Sequence, residues 1–195
     1  MEKQFVYADN AATTYLSKTA RDKLIQCLDE FNGNPNSLHS DGQRTQEALD
    51  EARAIVAECI NAAKPNEIYF TSGGSEADNQ AIMSAAVIGA RKGKKHIISS
   101  VFEHHAVLHT LDALKKQGFE VTLLPVHEDG LVRVEELKDA IRDDTGLVTI
   151  MYANNEIGTI QPIEEIAKVC KEQKILFHVD AVQAMGNVPI DVHTL

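Results

Sequence analysis

The sequence predicts an α/β fold, a mostly parallel sheet covered by helices on both faces. Five short apolar runs, EIYFTS, HIISS, EVTLLPV, LVTIMYA and ILFHVD, recur along the 195-residue chain from Glu67 onward. Segments with helical periodicity, beginning near Ser75, His105, Val134 and Pro162, separate them. Runs this apolar, spaced by helices, are the pattern of strands buried on both sides.

The elements follow in order. Residues 1–15 read as an extended amino-terminal segment, and residues 16–195 as one large domain, incomplete at its carboxyl end. Helical patterns cover Ser17 to Phe31 and Gly42 to Ile60, before the first strand, EIYFTS. Cys27, Cys59 and Cys170 each fall on an apolar helical stripe, which predicts three buried free thiols, and their spacing matches no zinc pattern. No internal repeat or low-complexity linker intervenes.

A formal charge of -10, with acids and bases mixed throughout, argues against a nucleic-acid or anionic-membrane surface. The amino terminus lacks the apolar core of a signal peptide, and no apolar run is long enough to span a bilayer. A cytoplasmic protein is expected.

In such sheets ligands collect beyond the carboxyl ends of the strands, so the residues there carry the functional reading. TSGGSEADN, Thr71 to Asn79, follows the first strand; its glycines permit a close backbone approach, and a helix starting at Ser75 would aim free N–H groups into the crevice. The competing reading is a plain turn, with a serine cap and first-turn acids Glu76 and Asp78 favoured by the helix dipole. His104 and His105 lie past the next strand. Either can cap a helix, stack on a flat ring or move a proton, and His105 with His109 can clip a metal if a third ligand exists. Asn154 and Asn155 end the fourth strand as turn residues or amide donors. Asp180, at the end of the fifth and followed by Gln183, is either a turn cap or the partner of a cationic ligand atom.

Together these ends supply an anion cradle, an aromatic base, amides and a carboxylate, a set that fits pyridoxal 5'-phosphate better than a nucleotide. The phosphate would sit on the helix start and the ring under His104. The phenolic oxygen would meet Asn155 and Gln183, and Asp180 would keep the ring nitrogen protonated. A cationic partner of that kind also offsets the cost of burying the acid.

DNAATT, GNPNSLH, TSGGSEADN, EHHAVL, NNEIGTIQP and HVDAVQAMG occur in the order and at the spacing of the NifS/IscS-type cysteine desulfurases, so the chain resembles that family from about residue 5 to its last residue. The resemblance implies a fold type I, aminotransferase-like large domain and a homodimer. It implies conversion of L-cysteine to L-alanine, with sulfur left as an enzyme persulfide for iron-sulfur cluster assembly or tRNA thiolation, handed to sulfur-acceptor or scaffold proteins. Carried over by residue, it assigns the phosphate to Gly74 and Ser75, ring stacking and proton transfer to His104, and the ring's oxygen and nitrogen to Asn155, Gln183 and Asp180. It also assigns substrate placement to Asn34 and Asn155.

One departure stands out. The family's Schiff-base lysine, persulfide cysteine, carboxylate-binding arginine and small carboxyl-terminal domain all lie beyond PIDVHTL, and none of the lysines present is well placed to substitute. The chain is therefore expected to be the amino-terminal half of such an enzyme, inactive by itself. Alternatives are another fold type I enzyme, such as a selenocysteine lyase or an aminotransferase, and a non-catalytic cofactor-binding fragment.

Overall fold

The computed structural model describes residues 5–195, which divide into two compact units between Tyr69 and Phe70. The first unit is helical. Helix α1, Lys18–Glu30, starts where Ser17 Oγ accepts from Ala20 N–H at 3.1 Å, and α2, Ser40–Cys59, starts where the His39 ring accepts from Gly42 N–H at 3.3 Å. Between them the loop folds back on itself: a Cβ at Gly42 would collide with the Ser37 and Asn34 carbonyls, so only glycine fits. Arg53 Nε then donates to Ile68 O at 3.2 Å, tying α2 to the single 3₁₀ turn Pro65–Glu67.

The second unit alternates α3 (Gly74–Ala90), β1 (His96–Ser100), α4 (His105–Lys116), β2 (Glu120–Leu124), α5 (Val134–Ala140), β3 (Thr145–Thr149), α6 (Ile163–Glu172) and β4 (Leu176–His178). All pairings are parallel, in the order β2-β1-β3-β4. Side chains of successive strand residues leave on opposite faces, and this builds two cores. Ile97 and Leu147 pack with Ile82, Val107, Leu111 and Leu114 of α3 and α4; Ile98 and Val148 pack with Leu137, Ile163 and Ile166 of α5 and α6. Truncating any of these fully buried isoleucines to alanine would cost about 2–5 kcal/mol.

At the amino ends of the strands a set of polar groups pairs off. The buried His96 ring meets Thr145 Oγ1 and Thr122 Oγ1, each at 2.8 Å, and Arg142 binds both oxygens of Asp144, at 2.8 and 2.7 Å, together with Glu120.

Two expectations are corrected. The run EIYFTS is not a strand: Glu67 closes the 3₁₀ turn, and the exposed Tyr69 and Phe70 have no sheet neighbour among the described residues. The three thiols are not all buried: Cys170 is, with its thiol pushed up to about 12 by burial, but Cys27 is half-buried and Cys59 exposed. Within its unit α2 buries only Gly42 and Ala57, so its apolar stripe covers no core. No helix among the described residues is long and apolar enough to cross a membrane.

Candidate functional site

Strand order reverses at β1, because the chain leaves it first toward β2 and later places β3 on its other side. The strands separate there. β1 stays paired with β2 as far as Val101 N–H to Leu124 O, at 3.0 Å, but with β3 only as far as Ile98 opposite Val148. β3 continues instead along β4, with Ile150 N–H to His178 O at 3.2 Å and Tyr152 N–H to Asp180 O at 2.8 Å. The resulting gap is the crevice in which a parallel sheet binds ligands.

Helix α3 opens beside it at Gly74, one residue earlier than the serine suggested. Gly73 precedes it in extended conformation without a side-chain cap, and the first helical bond is Ala77 N–H to Gly73 O at 3.1 Å, so the first-turn N–H groups have no intrahelical acceptor. Glu76 reaches back to Ser72 N–H at 2.7 Å and Oγ at 2.6 Å, which holds its carboxylate below the usual range. A Cβ at Gly74 would lie 2.6 Å from Val182 Cγ2, whereas one at Gly73 would meet nothing within 4 Å. At Gly74 the segment that follows Asp180 thus comes close, and a side chain there would force Val182 to turn aside.

Exposed His104 is the N-cap of α4, its Nδ1 accepting from Ala106 N–H at 3.1 Å. With Ser75, Asn79, His105 and Thr110 it lines a cleft of about 460 Å³ between α3 and α4, bridged by Thr110 Oγ1 to Asn79 Oδ1 at 2.7 Å. Lysine is absent from that lining. The His105 and His109 rings stack with centroids 5.4 Å apart, and no cluster of three metal-ligating side chains occurs among the described residues.

The two asparagines divide the work. Buried Asn154 is used up structurally: Oδ1 accepts from Glu156 and Ile157 N–H at 2.8 and 3.0 Å, and Nδ2 donates to Phe102 O at 3.3 Å, across the gap. Asn155 is half-buried, and its amide makes no hydrogen bond among the described residues. Asp180 is buried, and Oδ1 alone makes the turn contact, accepting from Val182 N–H at 3.0 Å. Half-buried Gln183 lies one residue further on, its carbonyl accepting from Asn187 Nδ2 at 2.9 Å. Asn34 belongs to the first unit, where its Oδ1 accepts from Asn36 N–H at 2.9 Å beside a cleft of about 400 Å³ lined also by Glu30, His39 and Asp41.

Sequence reasoning missed three buried groups. Asp78, read as a first-turn acid favoured by the helix dipole, is only 5% exposed, and burial, with Asp180 adding repulsion, pushes its carboxyl up to about 6. Its position gave the signal, because Asp78, Ile82, Ala86 and Gly89 form the buried stripe of α3. His178 lies 3.6 Å from Asp78 and 2.8 Å from Thr149 Oγ1, and burial depresses its basicity. Glu103, directly before His104, is buried as well.

The aminotransferase class-V family profile matches residues 6–195. The chain belongs to that family. Among class-V relatives, a cysteine desulfurase IscS of Clostridium botulinum strain Hall is 54% identical over 192 residues, covering 98% of this chain and 48% of its own length. The cysteine desulfurase IscS of Methanosarcina thermophila is 53% identical over 194 residues, with 100% and 48% covered. A solved NifS-like protein superposes with a TM-score of 0.90 at 39% identity, over 94% of this chain and 50% of its own. SspA in complex with cysteine superposes with a TM-score of 0.91 at 38% identity, over 96% and 54%. The class-V fold is the fold type I architecture expected from the sequence, and the chain spans about half the length of the relatives it matches.

Proposed function

We propose that this chain is the cofactor-binding half of a pyridoxal 5'-phosphate-dependent cysteine desulfurase, with residues 16–195 its large domain and the segment before it, of which residues 1–4 lie outside the described residues, a lead-in. The observation that carries the reading is the contact of Gly74 with Val182, which brings an uncapped helix start beside a buried carboxylate. One site then offers N–H donors for a dianionic phosphate and an acid for a cationic ring nitrogen. These residues fit the cofactor.

Pyridoxal 5'-phosphate, when bound, supplies an electron sink for the bonds around the substrate's α-carbon. This chain's residues bind and orient it. Gly74 and Ser75 N–H groups, with the Ser75 hydroxyl, hold the phosphate. Asp180 retains the proton on the ring nitrogen, and its burial keeps water from weakening that pairing. Asn155 and Gln183 direct amides at the phenolic oxygen, and His104 covers the ring. Asn155 positions L-cysteine, and for Asn34, in the first unit, a substrate role is carried by the family resemblance alone.

The lysine that anchors the cofactor and the cysteine that accepts sulfur belong to the remainder of the enzyme, as do contacts with sulfur-acceptor or scaffold proteins in iron-sulfur or tRNA thiolation pathways. The active form is a homodimer.

The test is to join this chain to the carboxyl-terminal half of a matched relative and supply L-cysteine. Equimolar alanine and sulfide under reducing conditions are expected. Turnover of selenocysteine alone, or transamination without sulfide, would replace the reading with another class-V activity. The isolated chain, reduced with borohydride in the presence of the cofactor, should yield no stoichiometric pyridoxyl-lysine.

A further inference from the structure

Helix α3 meets the sheet in two ways. Along most of its length the contact is apolar, with Ile82 and Ala86 packed among Ile97 and Leu147. One turn after Gly74 it is polar. The buried stripe of the helix begins at Asp78, whose Oδ1 lies 3.6 Å from His178 Nε2, its one polar side-chain contact among the described residues. An apolar pair at that point would cover the sheet without the cost of burying a carboxylate, so covering alone does not account for the acid.

His178 is held firmly on its strand. It stands opposite Thr149 in the register of β3 and β4, its carbonyl accepts from Ile150 N–H at 3.2 Å, and its Nδ1 lies 2.8 Å from Oγ1 of the buried Thr149. A carboxylate only accepts, so the ring hydrogen faces Asp78 from Nε2 and the Thr149 hydroxyl donates to Nδ1. The 3.6 Å approach is an electrostatic contact, longer than a hydrogen bond, and the Thr149 bond gives it its direction. His178 and Asp180 are two residues apart on one extended segment and share a face. Thr149, His178 and Asp78 thus link β3, β4 and α3 in one chain of contacts, one turn from the helix start and two residues from the acid.

We propose that His178 is a positioning residue of this site: fixed by Thr149, it clasps Asp78 and thereby sets the helix start at Gly74 relative to Asp180. The clasp rests on the geometry; its bearing on a cofactor rests on the function proposed above. The phosphate and the ring nitrogen of pyridoxal 5'-phosphate sit on one small molecule, so cradle and acid serve it together only if they keep one spacing. Burial depresses the basicity of His178, which keeps the ring neutral and leaves the Asp78 contact to the Nε2 hydrogen.

The triple variant Asp78→Ala, Thr149→Val, His178→Leu exchanges the whole chain of contacts for apolar side chains and should be as stable as wild type in urea, or more so. In the purified chain its affinity for pyridoxal 5'-phosphate should nevertheless fall about tenfold or more, while inorganic phosphate, which needs only the helix start, should compete as well as before. His178→Gln keeps a donor where Nε2 stands and should recover most of the loss. Long-range nitrogen–proton spectra of wild type at neutral pH should show the His178 hydrogen on Nε2. Unchanged cofactor affinity in the triple variant, a phosphate affinity that falls with it in equal measure, no recovery with His178→Gln, or a hydrogen on Nδ1 would overturn the proposal; the last decides even if the triple variant does not fold. A wild-type chain that binds no cofactor would instead sink the functional reading, and the position of the ring hydrogen would then judge the clasp by itself.

Discussion

The two ends of the central sheet are built on opposite electrostatic plans. At the amino ends, Arg142 is shared between Asp144 and Glu120, and both nitrogens of His96 are bonded to threonine hydroxyls. At the carboxyl ends, Asp78, Glu103 and Asp180 are buried together, and their nearest base, His178, is itself kept from charging by burial. A stable protein has no need of three crowded acids. The difference separates an end that secures the fold from the end on which the proposed cofactor site rests.

That contrast can be broken most severely at Asp180. In the full-length enzyme carrying this segment, Asp180→Ala should lower desulfurase turnover on the order of a hundredfold, the scale of losing one preorganised electrostatic partner, while the unfolding midpoint barely moves. Near-normal alanine production would contradict the assignment. Next comes the helix start. Gly74→Val would drive a side chain into Val182 and should destabilise the fold by about 1–3 kcal/mol. It should also weaken retention of pyridoxal 5'-phosphate in equilibrium dialysis. Gly73→Ala enters open space from an extended backbone and should do neither.

The two ends should also titrate in opposite senses. Burial lowers the folded-state affinity of His96 for protons below its ordinary value of 6.5, so its contribution to stability is present above that pH and is lost as the solution becomes acidic. Glu103 is raised, so its contribution is complete below 4.5 and is lost as pH rises toward about 8. In urea titrations across this range, His96→Gln should flatten the acid limb and Glu103→Gln the alkaline one. A single variant that flattened both would show the ends to be coupled. The smallest effect is expected at Arg142, whose partners are exposed: Arg142→Ala should shift the thermal midpoint by a few degrees at most, less in high salt.

Legibility in the sequence followed the physics of each level. Four of five strands and all six helices could be read because apolar spacing dictates them, with limits differing by as many as four residues at the end of β3. EIYFTS misled because apolar character signals burial, whereas a strand also needs a neighbour, which local sequence does not reveal. The candidate site residues were picked out by their position at strand ends alone. Whether Asn154 or Asn155 keeps a free amide depended on hydrogen bonds to Phe102, Glu156 and Ile157, formed only once the chain has folded. Asp78 was hidden in plain view: a charge on a helix's buried stripe reads as a favourable dipole contact until periodicity is applied to it as strictly as to its apolar neighbours.

The cap on α4 constrains what His104 can do. Because Nδ1 accepts from Ala106 N–H, its lone pair is occupied and the neutral ring carries its hydrogen on Nε2. In this state the imidazole has a proton to offer and nowhere to receive one. Any reorientation of the ring that withdraws Nδ1 must release Ala106 N–H, so the placement of the imidazole and the order of residues 104–106 at the start of α4 hang on one hydrogen bond.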